Sequence, residues 1–143
     1  MNTIARIAAA AALSFCAIVG GAGAASAAPA IPVNNGQETT GAEGGGHGRF
    51  HYTIDGDRFC YTLEVTGLTA GAVAAHVHVG ARGVAGPVRI PLSVPDATSF
   101  DVEGCTTVDD PAILAGIQED PRGWYVNVHT PTYPGGEVRG QLK

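Results

Sequence analysis

The stretch FHYTIDGDRFCYTLEV, from Phe50 to Val65, decides the fold. Apolar residues occupy every second position on both sides of the central Asp-Gly-Asp. Alternation with a period of two is typical of a β-strand with one buried face. Asp-Gly tolerates the positive φ angles of a tight turn. The stretch therefore predicts a hairpin of two antiparallel strands, residues 50–54 and 59–65.

Five further short segments have strand character: 75–79, 88–92, 99–103, 124–130 and 137–142. Turn sequences rich in glycine and proline separate them. Pro91 places its segment at a sheet edge or a strand end, because proline cannot donate to a neighbouring strand. The pattern predicts an all-β protein, an antiparallel Greek-key β-sandwich or barrel.

One short helix is expected in DDPAILAGIQED, residues 109–120. Asp110 suits the N-cap, and Pro111 suits the first helical position. The apolar face would consist of Ile113, Leu114 and Ile117. We expect this helix to close one end of the sandwich.

Residues 1–27 have the order of a secretory signal peptide. Arg6 supplies a positive charge, an apolar run follows from Ile7 to Val19, and small residues lead to a cleavage point after Ala27. The apolar run is too short to span a bilayer. Cys16 follows the bulky Phe15, which disfavours a lipoprotein. These features predict a secreted protein with no membrane insertion after cleavage.

Residues 28–48 are rich in glycine and small residues, which predicts a flexible lead-in, with Ile31 to Val33 as a possible edge strand. The regular domain is expected over residues 33–142. The chain has 8 Lys and Arg against 13 Asp and Glu, a formal net charge of −5. This acidic balance argues against nucleic acid as a partner.

Two cysteines, Cys60 and Cys105, remain once the signal peptide is removed. A single pair in an exported protein is most simply a disulfide. The sequence contains no G-x-S-x-G, no phosphate-binding loop and no H-E-x-x-H. Its acidic residues fall mainly in turns and at helix ends, so we expect no enzymatic activity.

The histidines are the remaining candidates for a functional site, as ligands of a metal ion. Residues two apart in a strand share a face, about 6.5–7 Å apart, so His76 and His78 are neighbours. If the strand at 124–130 lies alongside, His129 would join them. Three imidazoles suit copper or zinc, and His51 is a candidate for an additional ligand. Alternatively, these histidines only hydrogen-bond neighbouring backbone and polar groups at a strand end.

The polar face of the strand at 124–130 also carries Tyr125 and Asn127, and the last strand carries Arg139. These three residues are candidates for polar contacts with a ligand. Arg139 would pair with an acid or a bound anion. The alternative is a solvated face on which Glu137, Arg139 and Gln141 form at most a surface ion pair.

Three stretches carry a family resemblance: GQETTGAEGGGHGRFHYTIDGDRFCYTLEVTGL, AAHVHVGARGVAGPV and GWYVNVHTPTYPGGEVRGQL. In this order they resemble the CHRD domain, which is repeated in chordin and occurs singly in exported bacterial proteins. The two cysteines also resemble the pair found in bacterial members. The resemblance implies an antiparallel β-sandwich and no catalytic residues. It implies a non-enzymatic extracellular binding or structural module with an unknown extracellular or cell-envelope partner.

His-x-His in a β-sandwich is also distantly similar to copper/zinc superoxide dismutase. After His78 the sequence has one further histidine, His129, so a dinuclear site cannot be assembled. The alternative function is therefore a mononuclear copper- or zinc-binding protein that uses His76, His78 and His129.

Overall fold

The computed structural model describes residues 29–143, so the predicted signal peptide lies outside the described residues. The strands are β1 (Ile31–Asn34), β2 (His47–Asp55), β3 (Arg58–Thr66), β4 (Ala74–Val79), β5 (Val88–Leu92), β6 (Phe100–Thr107), β7 (Trp124–His129) and β8 (Val138–Gln141). One α-helix, α1 (Pro111–Glu119), follows β6, and short 3-10 turns occur at Asn35–Gln37 and Pro121–Gly123.

All eight strands belong to one antiparallel sheet with the order β5-β4-β7-β8-β1-β2-β3-β6. Its two edge strands approach each other, and Thr106 Oγ1 in β6 donates a hydrogen bond of 3.0 Å to the carbonyl of Pro91 in β5. The prediction of an antiparallel all-β protein is confirmed. Of the two architectures expected, the sheet takes the barrel-like one, because it is continuous and nearly closed. Pro91 lies in an edge strand, as predicted.

β1 connects the two halves of the sheet. Ile31 and Val33 are buried in the core, and the strand lies between β8 and β2. The expectation of an edge strand is therefore wrong. β2 also starts at His47, inside the segment expected to be a flexible lead-in. The physical reason is non-local: two apolar residues suffice for an interior strand when both neighbours supply its hydrogen bonds.

The hairpin predicted from residues 50–65 is confirmed. β2 and β3 pair from Asp55↔Arg58 outward, and Gly56 at the turn has a φ of 60°. Phe50 and Phe59 are completely buried. Alternate residues of the hairpin thus supply a large part of the hydrophobic core.

The disulfide between Cys60 and Cys105 is also confirmed. The two cysteines lie directly opposite each other on β3 and β6, with their Cα atoms 4.0 Å apart. The bridge ties an edge strand to the hairpin and links positions 45 residues apart in sequence.

The predicted helix is present as α1. The Asp110 carboxylate accepts a hydrogen bond of 3.0 Å from the Ala112 amide, and Leu114 and Ile117 are buried. α1 starts beside the β2–β3 turn, because the Val108 amide donates to the carbonyl of Asp57 at 2.8 Å. Within residues 29–143, no helix combines the length and the hydropathy needed to cross a membrane.

The polar face of β4, β7 and β8, opposite the hydrophobic core, is buried rather than solvated. Its buried polar residues are His78, Asn127, His129, Arg139 and Gln141. Glu137, just before β8, is also buried, and its carboxylate accepts hydrogen bonds from Thr69 and Thr130. The expectation of a solvated face is wrong, because connections between the strands fold back over it.

Candidate metal centre

β4 and β7 are neighbouring strands, and their register brings the histidines together. His76 pairs with Asn127, His78 pairs with Tyr125, and Ala74 pairs with His129. Both histidines of β4 point away from the core, because Val77 between them is completely buried. The pairing of β4 with β5 shifts register between Val77 and His78. Such irregularities are common beside functional sites.

His76, His78 and His129 form what we call the histidine cluster. One nitrogen from each ring lies within 4.8 Å of the others. The closest contact joins Nδ1 of His76 to Nε2 of His129 at 3.0 Å. Nitrogens bound to one ion at about 2.0–2.1 Å would lie roughly 3.3 Å apart in a tetrahedral site. The 3.0 Å pair is close to this spacing, whereas the 4.8 Å separation would have to shorten for all three nitrogens to bind one ion. The predicted convergence of the three histidines is found.

Backbone carbonyls fix the second nitrogen of two rings. Nδ1 of His78 lies 2.8 Å from the carbonyl oxygen of Gly86, and Nδ1 of His129 lies 2.9 Å from that of Pro134. A carbonyl only accepts hydrogen bonds, so each Nδ1 carries the proton. In the neutral rings, Nε2 then carries a lone pair and acts as an acceptor. Metal-binding histidines are oriented in the same way.

Nε2 of His78 is a buried acceptor without a hydrogen-bond partner in the described part of the chain. The His78 side chain is only 6% exposed, and its ring stacks on Tyr125 with a centroid distance of 4.8 Å. Leaving a buried polar atom unsatisfied is unfavourable by about 1–3 kcal/mol. An atom of this kind indicates a site that takes up a cation or a hydrogen-bond donor.

Burial and neighbouring groups favour the neutral forms of His76 and His78. Burial lowers the pKa of His76 to about 4, and the neighbouring His129 and His78 add to the shift. Burial also lowers the pKa of His78, although its hydrogen bond to Gly86 opposes this effect. Neutral imidazole is the form that binds metal ions, so these shifts favour a ligand role near neutral pH.

The connection between β4 and β5, residues 80–87, holds the Gly86 carbonyl in place. The Gly86 amide donates to the hydroxyl of Tyr125 at 3.1 Å. A Cβ atom at Gly86 would collide with the carbonyl oxygen of Val79, so this close approach requires glycine. Gly86 thus has a structural role beside His78.

Arg139 also holds residues 80–87 in place, through hydrogen bonds to their backbone. Its guanidinium donates to the carbonyl oxygens of Ala81 at 2.8 Å and Val84 at 3.0 Å. It also stacks on the ring of Tyr125, with Cζ 3.4 Å from the ring centroid. The Arg139 guanidinium therefore bonds to backbone carbonyls, not to the acid or bound anion expected from the sequence. Tyr125, Asn127 and Arg139 are all buried and present at most 3% of their surface to solvent.

Glu38, just after the first 3-10 turn, was not singled out from the sequence. Its Oε1 atom and Oδ1 of Asn127 are buried without hydrogen-bond partners among the described residues. Burial raises the pKa of the Glu38 carboxyl, against opposing contributions that include Asn127 and Arg139. Glu38 gives no local signal, because it lies in a polar stretch that resembles a linker.

His51, the candidate additional ligand, lies elsewhere. It is exposed on β2, opposite Thr62 of β3. It lines a surface depression together with Thr62 and Glu103. Neither this depression nor the histidine cluster brings His51 together with the other three histidines.

Comparison with known proteins gives one match. A family model described as the CHRD domain matches residues 25–142. No curated protein and no solved structure matches the chain.

Proposed function

This chain belongs to the CHRD domain family, and on that premise we propose that it is a non-enzymatic extracellular binding module whose ligand is one copper or zinc ion. The ion would be held by Nδ1 of His76 and by Nε2 of His78 and His129. The family match supports a binding or structural role in general terms. The metal ion gives that role a specific ligand.

One observation carries the proposal: Nε2 of His78, which is buried and has no hydrogen-bond partner within residues 29–143, belongs to a residue of a cluster in which three imidazole nitrogens lie within 4.8 Å of one another. A histidine whose only role is structural would use both nitrogens in hydrogen bonds to the protein. His78 instead uses only Nδ1, for the Gly86 carbonyl, and its Nε2 has no partner among the described residues. Nε2 of His129 bonds only to Nδ1 of His76, inside the cluster itself. This division is typical of metal ligands.

The ligand set also indicates which ions suit the site. Three neutral imidazoles favour borderline ions such as Cu(II) and Zn(II) over calcium or magnesium, which prefer oxygen ligands. Copper(II) generally binds nitrogen ligands more tightly than zinc does. We therefore expect copper to displace zinc from the cluster.

The Cys60–Cys105 disulfide supports the extracellular part of the proposal, because disulfides persist in oxidising compartments. The signal peptide expected over residues 1–27 is consistent with export. In this view the domain binds its ion outside the cell or in the cell envelope, where the disulfide remains intact.

The experiment is a calorimetric titration of the tag-free protein with Cu(II) and with Zn(II). We expect one ion per chain with a dissociation constant below about 1 μM, by comparison with protein metal sites of this kind. The variant His76→Ala/His78→Ala should lose this binding, because two of the three ligands are removed.

His51→Ala is the matched control, since it removes an exposed histidine away from the cluster. Its copper affinity should equal that of the wild type. Circular dichroism would verify that each variant is folded. Absent or weak binding, or binding that the double variant retains, would overturn the proposed function.

A further inference from the structure

Two buried oxygen atoms beside the histidine cluster have no donor. Within residues 29–143, three buried side-chain atoms have no hydrogen-bond partner: Oδ1 of Asn127, Oε1 of Glu38 and Nε2 of His78. Asn127 is only 1% exposed. An ion in the cluster would take up the lone pair of His78. It would leave the two oxygen atoms unsatisfied.

Asn127 links these oxygen atoms to the cluster. It lies opposite His76 in the β4–β7 register, and its side chain is close enough to His78 and Glu38 to affect the pKa of both groups. Glu38 and Asn127 approach each other over Gly136. A Cβ atom there would lie 2.7 Å from Nδ2 of Asn127 and would collide with Oε1 of Glu38. The glycine thus makes room for both polar side chains.

Among the described residues neither oxygen atom has a donor within hydrogen-bond distance. Nδ2 of Asn127 lies close enough to Glu38 to lower the pKa of its carboxyl, but it donates to the carbonyl of Gly135 at 3.5 Å. Arg139 is the cation whose charge acts on Glu38. Its hydrogen bonds run instead to the carbonyls of Ala81 and Val84 and to the side chain of Gln141. An amide oxygen and a carboxylate oxygen only accept hydrogen bonds, so they cannot satisfy each other.

This inference rests on the proposed metal site. Three protein ligands leave an open position on the ion for a small molecule. We propose that Asn127 and Glu38 select that molecule, favouring a ligand that carries O–H or N–H donors, such as water or ammonia, over an acceptor-only anion such as azide.

The selection follows from simple hydrogen-bond chemistry. Water or ammonia bound to an ion presents polarised hydrogens, and the two oxygen atoms accept them. Azide has no hydrogen, and its lone pairs and negative charge would face an amide oxygen and a carboxylate. Hydrogen bonds to charged groups are stronger than neutral ones, so Glu38 should contribute strongly to this preference.

The test compares azide and ammonia as ligands of the Cu(II)-loaded protein, with binding followed by visible absorption at a pH above the carboxyl range. Asn127→Leu removes one acceptor without a change of charge. We expect azide to bind about fivefold more tightly and ammonia about fivefold more weakly, the effect of one ordinary hydrogen bond. Opposite changes for two ligands distinguish selection from a general disturbance of the site.

Asn127 is buried in β7, so its replacement can prevent the protein from folding. Glu38→Leu is therefore a second variant that tests the same preference. Ammonia is neutral, so its weaker binding to Glu38→Leu would not follow from the lost charge alone. Gln118→Leu, an exposed change on α1, should leave both ligands unaffected.

Unchanged azide and ammonia affinities in folded, copper-loaded variants would overturn this inference and leave the proposed function standing. Failure of the wild-type protein to bind copper would overturn both. The azide and ammonia titrations are run with every variant saturated with Cu(II), so that a change in copper affinity does not enter the comparison.

Discussion

Nδ1 of His76 lies 3.0 Å from Nε2 of His129, and the proton between them belongs to His76. Nδ1 of His129 donates its own proton to the Pro134 carbonyl, so Nε2 of that ring can only accept. The metal-free cluster thus contains a hydrogen bond at the position where the ion would bind. An ion bound to both nitrogens must replace that proton.

Metal binding should therefore change the tautomer of His76. We predict that His76 carries its proton on Nδ1 in the metal-free protein and on Nε2 after loading with zinc. His78 and His129 should keep their protons on Nδ1, where the carbonyls of Gly86 and Pro134 accept them. Long-range ¹H–¹⁵N NMR of the imidazole rings measures the tautomers directly. A His76 ring that keeps its Nδ1 proton with zinc bound would contradict the assignment of Nδ1 as a ligand.

The pKa shifts predict how the metal-free protein responds to acid. The pKa of His76 falls from 6.5 to about 4 in the folded protein, and that of His78 is also lowered. Between these pH values the unfolded chain binds more protons than the folded chain does. The free energy of unfolding should therefore decrease as the pH falls from about 6.5 to about 4.

Urea unfolding at several pH values, with a chelator present, measures this dependence. His76→Gln/His78→Gln is the comparison, because its other titrating groups are the same. Its stability should depend less on pH across this window. An equal pH dependence in the two proteins would show that the histidines are not held neutral by the fold.

The disulfide should contribute strongly to stability. Cys60 and Cys105 are 45 residues apart, and closing a loop of that length stabilises a fold by about 4 kcal/mol in the chain-entropy model. Reduction should lower the free energy of unfolding by a comparable amount, measured by urea unfolding with and without a reductant. Cys60→Ser/Cys105→Ser should show the lower stability with no response to reductant. Equal stability of the oxidised and reduced wild type would contradict this prediction.

Arg139 should be important for stability, although it is charged. Arg139→Met removes the donors to the carbonyls of Ala81 and Val84 while it retains much of the apolar volume. We expect a loss of about 3 kcal/mol, because two hydrogen bonds from a charged donor and the contact with the Tyr125 ring are lost. Arg139→Lys should recover only part of it, since an ammonium cannot reproduce the planar fork. Chemical denaturation measures both variants.

Arg89→Met is the matched control, because Arg89 is exposed on β5 near the same connection. Its effect should stay within about 0.5 kcal/mol, as is usual for surface substitutions. A similar loss in Arg89→Met and Arg139→Met would indicate a general effect of charge rather than the hydrogen bonds of Arg139.

Local patterns predicted much of the fold. The hairpin around Gly56 and the cap of α1 at Asp110 depend on short stretches of sequence, and both are found. The position of β1 depends on its partners β2 and β8, and β8 lies at the other end of the sequence. A pattern confined to residues 31–34 therefore could not distinguish an edge strand from an interior one.

The same limit applies to the site. The spacing of His76 and His78, with His129 on the polar side of its strand, sufficed to predict the cluster. The alternation of apolar and polar residues assigns every polar face to solvent, so the burial of Arg139 under residues 80–87 could not be foreseen. Glu38 reaches the site from a connection that has no periodic pattern. Its position follows only from the folded chain.

The most direct test of the metal site is pulsed EPR of the protein loaded with one equivalent of Cu(II), which counts the imidazoles bound to copper. We predict three imidazoles in the wild type and two in His78→Gln, with His51→Ala unchanged. Copper held by three histidines would establish that His76, His78 and His129 form one site. Copper bound with fewer imidazoles in the wild type, or a count that His78→Gln leaves unchanged, would contradict it.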